Sequence, residues 1–487
     1  MTAAHSPAGT AAARRSSRDV LARLDRIDTW SLPSLFIGVI GLGFLFTFYD
    51  IFDINVSFIQ TCVALKPGCS PATALDALKT PVVLNLAGYV VGTLALSPLA
   101  DRVGRRNMLM VTMAVTGLGS LYNALAPDYT NFVIARVITG IGIGADLAIV
   151  NTFIGEVAPR RSRAKFTSLI FVMSALGALL GIWLGLILTT EAAPWPKGLS
   201  FAQAGPGFDN GWRWMYAVGA VLALIAILLR IELPESPRWL VGRGRVEEAD
   251  AVVADMERVA ARHGALAEPR FAREADREVD TAHGHMPYRT VLGNPMYLRR
   301  VLLLVVVWLT GYVTVYGFSA GFTSVLTAQG YAPPEAGVIV AVGAFGFLLC
   351  AVAAVLWSER LNRKVWLPIS AAVTLAGCVI IAAAGDTLGI AFAGSAIIFF
   401  GFNLWVPMTY ARSAECFPTR ARTTGFALVD GVGHLGGGIG VLLIAPAVPH
   451  LSILGSLLLI TAGLVIAAVV GSFGIETRNR RFEEVSP

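Results

Sequence analysis

Apolar and polar positions alternate along this chain on a long scale, with twelve extended apolar runs separated by short polar loops. Six runs lie near 33–60, 82–100, 107–126, 131–154, 166–189 and 213–232, and six near 299–327, 335–357, 365–384, 388–412, 423–447 and 452–474. A bilayer core takes about 20 predominantly apolar residues per helix, so each run predicts one membrane-spanning helix. Between the two sets, 234–289 carries 20 charged residues, and Ala249, Val252, Val253, Met256, Val259 and Ala260 fall there at helical spacing. That stretch predicts one or two amphipathic helices, or else a simple tether. The expected organisation is a disordered tail over 1–32, a six-helix half over 33–233, a central loop over 234–298, a second six-helix half over 299–474 and a tail over 475–487.

The two sets repeat one another. Glu156, Pro159 and Arg163 of GEVAPRRSR return as Glu415, Pro418 and Arg422 of AECFPTRAR, each 259 positions later, and Asp101–Arg106, DRVGRR, returns 258 positions later as Glu359–Lys364, ERLNRK. An internal duplication of this size in an apolar chain marks a transporter fold, whose site lies between the halves near the bilayer midplane. The fold class expected is therefore an all-α membrane protein with twelve transmembrane helices in two pseudo-symmetric halves.

Composition supports this and removes other classes. Of the 487 residues 55% are hydrophobic and 14% charged, with mean hydropathy +0.67, against roughly 25% charged in soluble domains. The net charge of +6 does not point to nucleic acid, because the basic residues cluster in short loops: Arg102, Arg105, Arg160, Arg161, Arg163, Arg363, Lys364, Arg420 and Arg422 follow runs 2, 4, 8 and 10. The opposite loops hold little beyond Lys66, Lys79 and Lys197, and the positive-inside bias then puts both termini and the central loop in the cytoplasm of a cell-membrane protein. The five cysteines form no CxxC or Cys/His pattern, so neither a zinc site nor a redox motif is expected. Cys62 and Cys69 fall on the oxidising side, where a disulfide can form. No Walker-type loop is present, which removes ATP as the energy source, and no nucleophile–base or metal-ligand constellation points to an enzyme or a cofactor.

Ionisable residues inside spans are costly, at about 2.5–3.5 kcal/mol each on insertion scales, and usually face a cavity. Asp50 lies about 25 Å into run 1 and Asp146 about 22 Å into run 4. Asp53 stands one turn beyond Asp50 on the same face, close enough for the two charges to repel. All three are candidates for carrying the coupling proton; the alternative is permanent pairing with a buried cation. Arg136, near the start of run 4, is expected to snorkel to the surface, and Gly140 and Gly144 suit close helix packing rather than a phosphate cradle. Candidate substrate ligands are Asn85 and Tyr89 in run 2, Tyr312 and Tyr316 on one stripe of run 7, and Asn403 and Trp405 in run 10, since rings with a polar handle suit a small polar metabolite. Tyr410 is expected in an interface belt instead. Asp430 and His434 complete the set in run 11, four residues apart and stacked on one face. Together they would hold an anion and its proton, or form a neutral hydrogen-bonded pair.

Twelve spans in two halves, DRVGRR and its echo ERLNRK, and PESPRWL at 234–240 together resemble the major facilitator superfamily, over nearly the whole chain. PESPRWL and the paired acidic-Pro-Arg endings look like the sugar porters and related metabolite:proton symporters. YDIFDIN, Tyr49–Asn55, is similar to the first helix of phosphate:proton symporters, although GADLAIVN in run 4 departs from that branch. AECFPTRARTTG with GVGHLGG is similar to the aromatic-acid and related symporters, in which Arg or Lys stands at the place of His434. The resemblance implies that Asp101, Arg105, Glu156 and Arg163, with Glu359, Arg363, Glu415 and Arg422, form a gating salt-bridge network on the cytoplasmic side.

The expected function is secondary active transport by rocking of the halves, as proton-coupled uptake of a small polar or anionic metabolite by a monomer in the lipid bilayer, with that metabolite and protons as its partners. Run 5, FVMSALGALLGIWLG, lacks the Gly-Pro-x-x-Gly-Gly-like motif that exporters of the superfamily often carry, which favours uptake over proton-driven efflux. Facilitated sugar transport, and a membrane sensor signalling through 234–289, are the alternatives.

Overall fold

The computed structural model describes residues 17–32, 34–159, 163–262, 264, 266, 268–269, 288–385, 387–417 and 422–478. Twelve helices occupy the twelve apolar runs. In the first half they are α1 (Ser34–Leu65), α2 (Ala74–Leu99), α3 (Arg105–Leu125), α4 (Tyr129–Val157), α5 (Arg163–Thr189) and α6 (Gly211–Arg230). In the second they are α7 (Pro295–Ser319), α8 (Pro333–Trp357), α9 (Trp366–Ala382), α10 (Leu388–Glu415), α11 (Arg422–Ala447) and α12 (Ile453–Ser472). All but α9, at 17 residues, are long and apolar enough to cross a membrane by themselves.

Local chemistry sets the ends. Asp128 caps α4 by accepting the Asn131 N–H at 2.9 Å, Asn294 caps α7 ahead of Pro295, and Ser452 caps α12. Three helices are interrupted where a backbone bond is missing. In α10, Pro407 has no N–H for the Asn403 carbonyl, and the helix bends at Leu404–Trp405. In α2, Gly92–Leu96 widen to a π-turn ahead of Pro98, and the Leu94 carbonyl accepts from the Tyr288 hydroxyl instead, at 3.3 Å. α7 breaks at Ala320 and Gly321 and resumes as Phe322–Ala328.

Within the first half α1 packs on α5, α2 on α4 and α3 on α4 and α6; within the second, α7 packs on α11 and α12, and α9 on α10. The halves meet along two seams, α2 against α11 and α5 against α8. Gly140 and Gly144 serve the packing expected of them, since a Cβ at either would collide with the Asn85 or Tyr89 carbonyl of α2. A disulfide joins Cys62, in the last turn of α1, to Cys69 of the α1–α2 loop.

Two expectations outside the spans change. Residues 17–25 are helical rather than disordered, because their apolar side has somewhere to go: Val20, Leu24 and Ile27 are buried together with Val253 and Met256 of the link. The described part of the link holds three helices, Pro237–Gly242, Val246–Ala261 and Tyr288–Gly293, and Ala249, Val253, Met256 and Ala260 are its buried face.

Candidate functional site

The α2–α11 seam brings together ionisable and aromatic groups from both halves. The Tyr89 hydroxyl donates to Asp430 Oδ2 at 2.7 Å across the seam, and Tyr312 donates to Asp430 Oδ1 at 3.2 Å while sharing a hydrogen bond with the Tyr410 hydroxyl at 2.9 Å. His434, one turn along α11, places Nδ1 2.8 Å from the Asp430 carbonyl and 3.4 Å from Oδ1. Its ring lies between two tyrosines, stacked 3.7 Å from Tyr89 at 21° and 3.9 Å from Tyr312. Tyr316 meets the same imidazole edge-on at 6.0 Å. Trp308 and Trp405 wall the cluster behind Tyr312. Every one of these side chains is buried.

Tyr410 was expected at an interface and is buried here instead, between Phe426 and Trp308. Tyr410 lies beyond the interruption at Leu404–Trp405, where a straight helical count along the span no longer gives a residue's facing. Asn403 and Trp405 sit at that bend, with the Asn403 Nδ2 and Trp405 Nε1 free of hydrogen bonds among the described residues. Asn85 is occupied elsewhere: its amide donates to the Arg136 carbonyl at 2.7 Å and to Thr139 Oγ1 at 3.1 Å, tying α2 to α4 within one half.

A second cluster lies in the first half. Arg136 does not snorkel; it is 2% exposed, with Nη1 3.1 Å from Asp50 Oδ2 and 3.8 Å from Asp53 Oδ1. Asp50 also accepts from Ser120 at 3.0 Å. Asp53 has no hydrogen-bond donor among the described residues, so two carboxylates share one guanidinium. Asp146 is placed differently. Arg230 holds it with both terminal nitrogens, at 2.6 and 3.1 Å, and Thr112 adds a donor at 2.9 Å. Arg230, the last residue of α6, carries no signal of this role in the sequence, because a cation closing an apolar run reads as a flank.

At the end that carries the repeated motifs, Arg105 pairs with Glu156 at 3.1 Å, and Arg363 with Glu359 at 3.4 Å and Glu415 at 3.8 Å. The side chains of Asp101, Arg163 and Arg422 lie outside the described residues. Glu235 of PESPRWL accepts from the backbone N–H of Arg105 and Arg106 at the start of α3, and Glu476 does the same for Arg363 and Lys364. The repeat therefore has a further echo, Glu235 in Glu476, separated by 241 positions. A negative side chain at these amides satisfies donors that a helix start leaves open. At the opposite end, Asn55 of α1 fills the break in α7. It donates to the Phe318 and Ser319 carbonyls at 2.9 and 2.7 Å, and it accepts from the Thr323 N–H at 3.2 Å and hydroxyl at 2.6 Å.

Two six-helix halves meeting around a buried polar cluster, joined across the seam by Asn55 at one end and each braced by its own ion pairs at the other, define a membrane transporter of the major facilitator fold. The family profile of the Sugar (and other) transporter family matches residues 35–487, and the chain belongs to that family: it is a multi-pass secondary transporter and not an enzyme. It is 25% identical to the niacin transporter NiaP of Acinetobacter baylyi, over 96% of this chain and 99% of that one. It is 28% identical to the 4-hydroxybenzoate transporter PcaK of Pseudomonas putida, over 82% and 84%. Among solved structures, the proton:xylose symporter XylE bound to 6-bromo-6-deoxy-D-glucose shares the fold with a TM-score of 0.70 at 21% identity, covering 96% of this chain and 99% of that one.

Proposed function

We propose that this protein takes up a small polar or anionic metabolite across the cell membrane together with protons. It works as a monomer, with both termini and the 234–298 link in the cytoplasm. The moving bodies are 33–233 and 299–474, rocking about the Tyr89–Asp430 seam. The basic loops beside DRVGRR and ERLNRK support the orientation, and the named substrates of NiaP and PcaK fit the anionic reading.

The observation that carries proton coupling is the Asp50–Asp53–Arg136 cluster. Two carboxylates and one guanidinium leave a net negative charge when all are ionised, and a single proton brings the cluster to neutrality in a place where charge is costly. Asp50 is engaged by Arg136 and Ser120, whereas Asp53 lacks a donor, so Asp53 is the carboxyl that takes the proton and Asp50 holds the arginine in place. Asp146 is assigned a structural role, because its pairing with Arg230 and Thr112 leaves nothing to exchange. The substrate ligands are Tyr312, Tyr316, Asp430 and His434, with Tyr89 facing them across the seam, Asn403 and Trp405 at the rim and Asn85 behind them. Arg105–Glu156 and Arg363–Glu415, with their repeat partners, brace the cytoplasmic gate.

One coupled charge supplies about 2.3 kcal/mol per 100 mV, enough for more than tenfold accumulation. In proteoliposomes with an imposed pH gradient, Asp53→Asn should abolish accumulation while substrate exchange at equal concentrations persists. Accumulation by Asp53→Asn equal to that of the parent would remove the cluster from the coupling mechanism.

A further inference from the structure

Tyr89 makes two contacts across the seam that must both break when the halves separate: its ring lies on the face of His434, 3.7 Å away, and its hydroxyl donates to Asp430 at 2.7 Å. Both partners belong to α11 in the other half, and both are buried, Asp430 at 0% and His434 at 2% exposure. On the far side of the imidazole Tyr312 is fixed within the second half, where its hydroxyl is tied to Asp430 and Tyr410. Opening therefore uncovers one aromatic face, backed by a second ring, beside one carboxylate oxygen that has lost its donor. Water can satisfy the freed carboxylate oxygen once the seam opens, but only a flat ring with a donor at its edge restores both contacts together.

We propose that Tyr89 stands in the place of the substrate in this closed arrangement, and that the substrate is a planar aromatic molecule carrying an O–H or N–H donor at its edge. Its ring stacks on His434 and its donor reaches Asp430 Oδ2. This deepens the transport reading and rests on it. A phenol ring already fits there, so the recess accepts a flat six-membered ring with a polar group in its plane. An aliphatic ring of the same size brings hydrogens out of plane and loses the stack, and a pyranose supplies donors but no π-face. The exchange also accounts for the two halves of a transport cycle. Substrate closes the seam on the inward journey, and Tyr89 closes it on the return.

The test compares four probes on the purified full-length protein by isothermal titration: 4-hydroxybenzoate, benzoate, cyclohexanecarboxylate and D-xylose. The expected order is 4-hydroxybenzoate tightest, benzoate weaker by about tenfold for the missing donor, and cyclohexanecarboxylate and D-xylose weaker still. Tyr89→Phe keeps the ring and loses the competing hydroxyl. It should bind 4-hydroxybenzoate several-fold more tightly than the parent, and net uptake should slow while exchange continues. His434→Ala should lower affinity for both aromatic acids and narrow their lead over cyclohexanecarboxylate. D-Xylose binding as well as the aromatic acids, equal binding of benzoate and cyclohexanecarboxylate, no binding by any aromatic probe, or unchanged affinity in Tyr89→Phe would each overturn the proposal. Gradient-driven accumulation of D-xylose under those outcomes would leave the transport reading standing. Failure to accumulate any of the four would count against both.

Discussion

At the scale of single residues, three buried aspartates that look equivalent in the sequence separate by their partners. Asp146 and Arg230 form a two-pronged pair at 0% exposure on both side chains, and removing one member of such a pair typically costs about 3–5 kcal/mol, because the other charge is left buried and alone. Asp146→Asn should therefore lower the thermal unfolding temperature sharply in detergent, and Asp146→Leu combined with Arg230→Met should recover part of the loss. Equal stability of Asp146→Asn and the parent would show that Arg230 finds other partners. Asp50 and Asp53 share Arg136, so their substitutions should bear on coupling more than on stability. The sequence placed all three aspartates deep in the bilayer but left open which was paired. That depends on Arg136 and Arg230, which reach them from 86 and 84 positions away.

At the scale of elements, the break in α7 exists because Asn55 replaces the missing helical bonds. Its four hydrogen bonds join α1 to α7 across the halves at the end away from the basic loops. Asn55→Ala leaves two carbonyls and a backbone N–H buried without their partners, at about 1–3 kcal/mol for each unsatisfied group. That variant should favour the arrangement open on the outer side by tenfold or more. A cysteine at Ser324, which is 1% exposed, should then react with an impermeant maleimide from outside, and should stay protected when Asn55 is intact. Equal labelling in both backgrounds would show that Asn55 does not hold this end shut. Periodicity reads 299–327 as one helix, because the run stays apolar through the break, and the bends at Pro98 and Pro407 are hidden in the same way. Proline marks where a bond is lost, but only the packed structure shows what takes the free carbonyl, as Tyr288 does at Leu94.

At the scale of the whole molecule, the N-terminal helix is clasped to the link. Arg23 meets Glu257 at 2.8 Å and also Asp250, Arg26 meets Glu257 at 2.7 Å, and Arg238 meets Asp25 at 2.5 Å. Burial pushes the Glu257 carboxyl up, but hydrogen bonds from Arg23 and Arg26 outweigh it and hold the group below its ordinary value of 4.5. A carboxyl depressed in the folded state contributes stability that is complete above its unfolded value and is lost as pH falls through the folded one. The clasp should therefore be intact at neutral pH and loosen only below about pH 4.5. Limited proteolysis should find residues 17–27 protected at pH 7, and cut faster in Glu257→Gln at the same pH. A cleavage rate unchanged by that substitution would show that the apolar face around Val20 and Leu24 holds the helix without the charges. The 20 charges of 234–289 were visible in the sequence, but their partners in the N-terminal segment were not, because an ion pair between surfaces leaves no periodic trace.

The amino-acid sequence by itself determined the membrane class, the twelve spans, the duplication and the motif-bearing ends. Each follows from local composition or from a fixed offset, and the bilayer leaves a chain of this kind no other way to satisfy its backbone than helices. It also brought Asp430, His434, Tyr89 and Tyr312 forward, since polar groups are conspicuous in apolar runs. Only the tertiary structure decided what each of them touches. Helices of similar apolar character can be rotated against one another with little change in what the lipid sees, so the seam between α2 and α11 is set by close packing at glycines such as Gly431 and Gly438, which face Thr93 and Val83 of α2, and by the few hydrogen bonds that must find partners away from water.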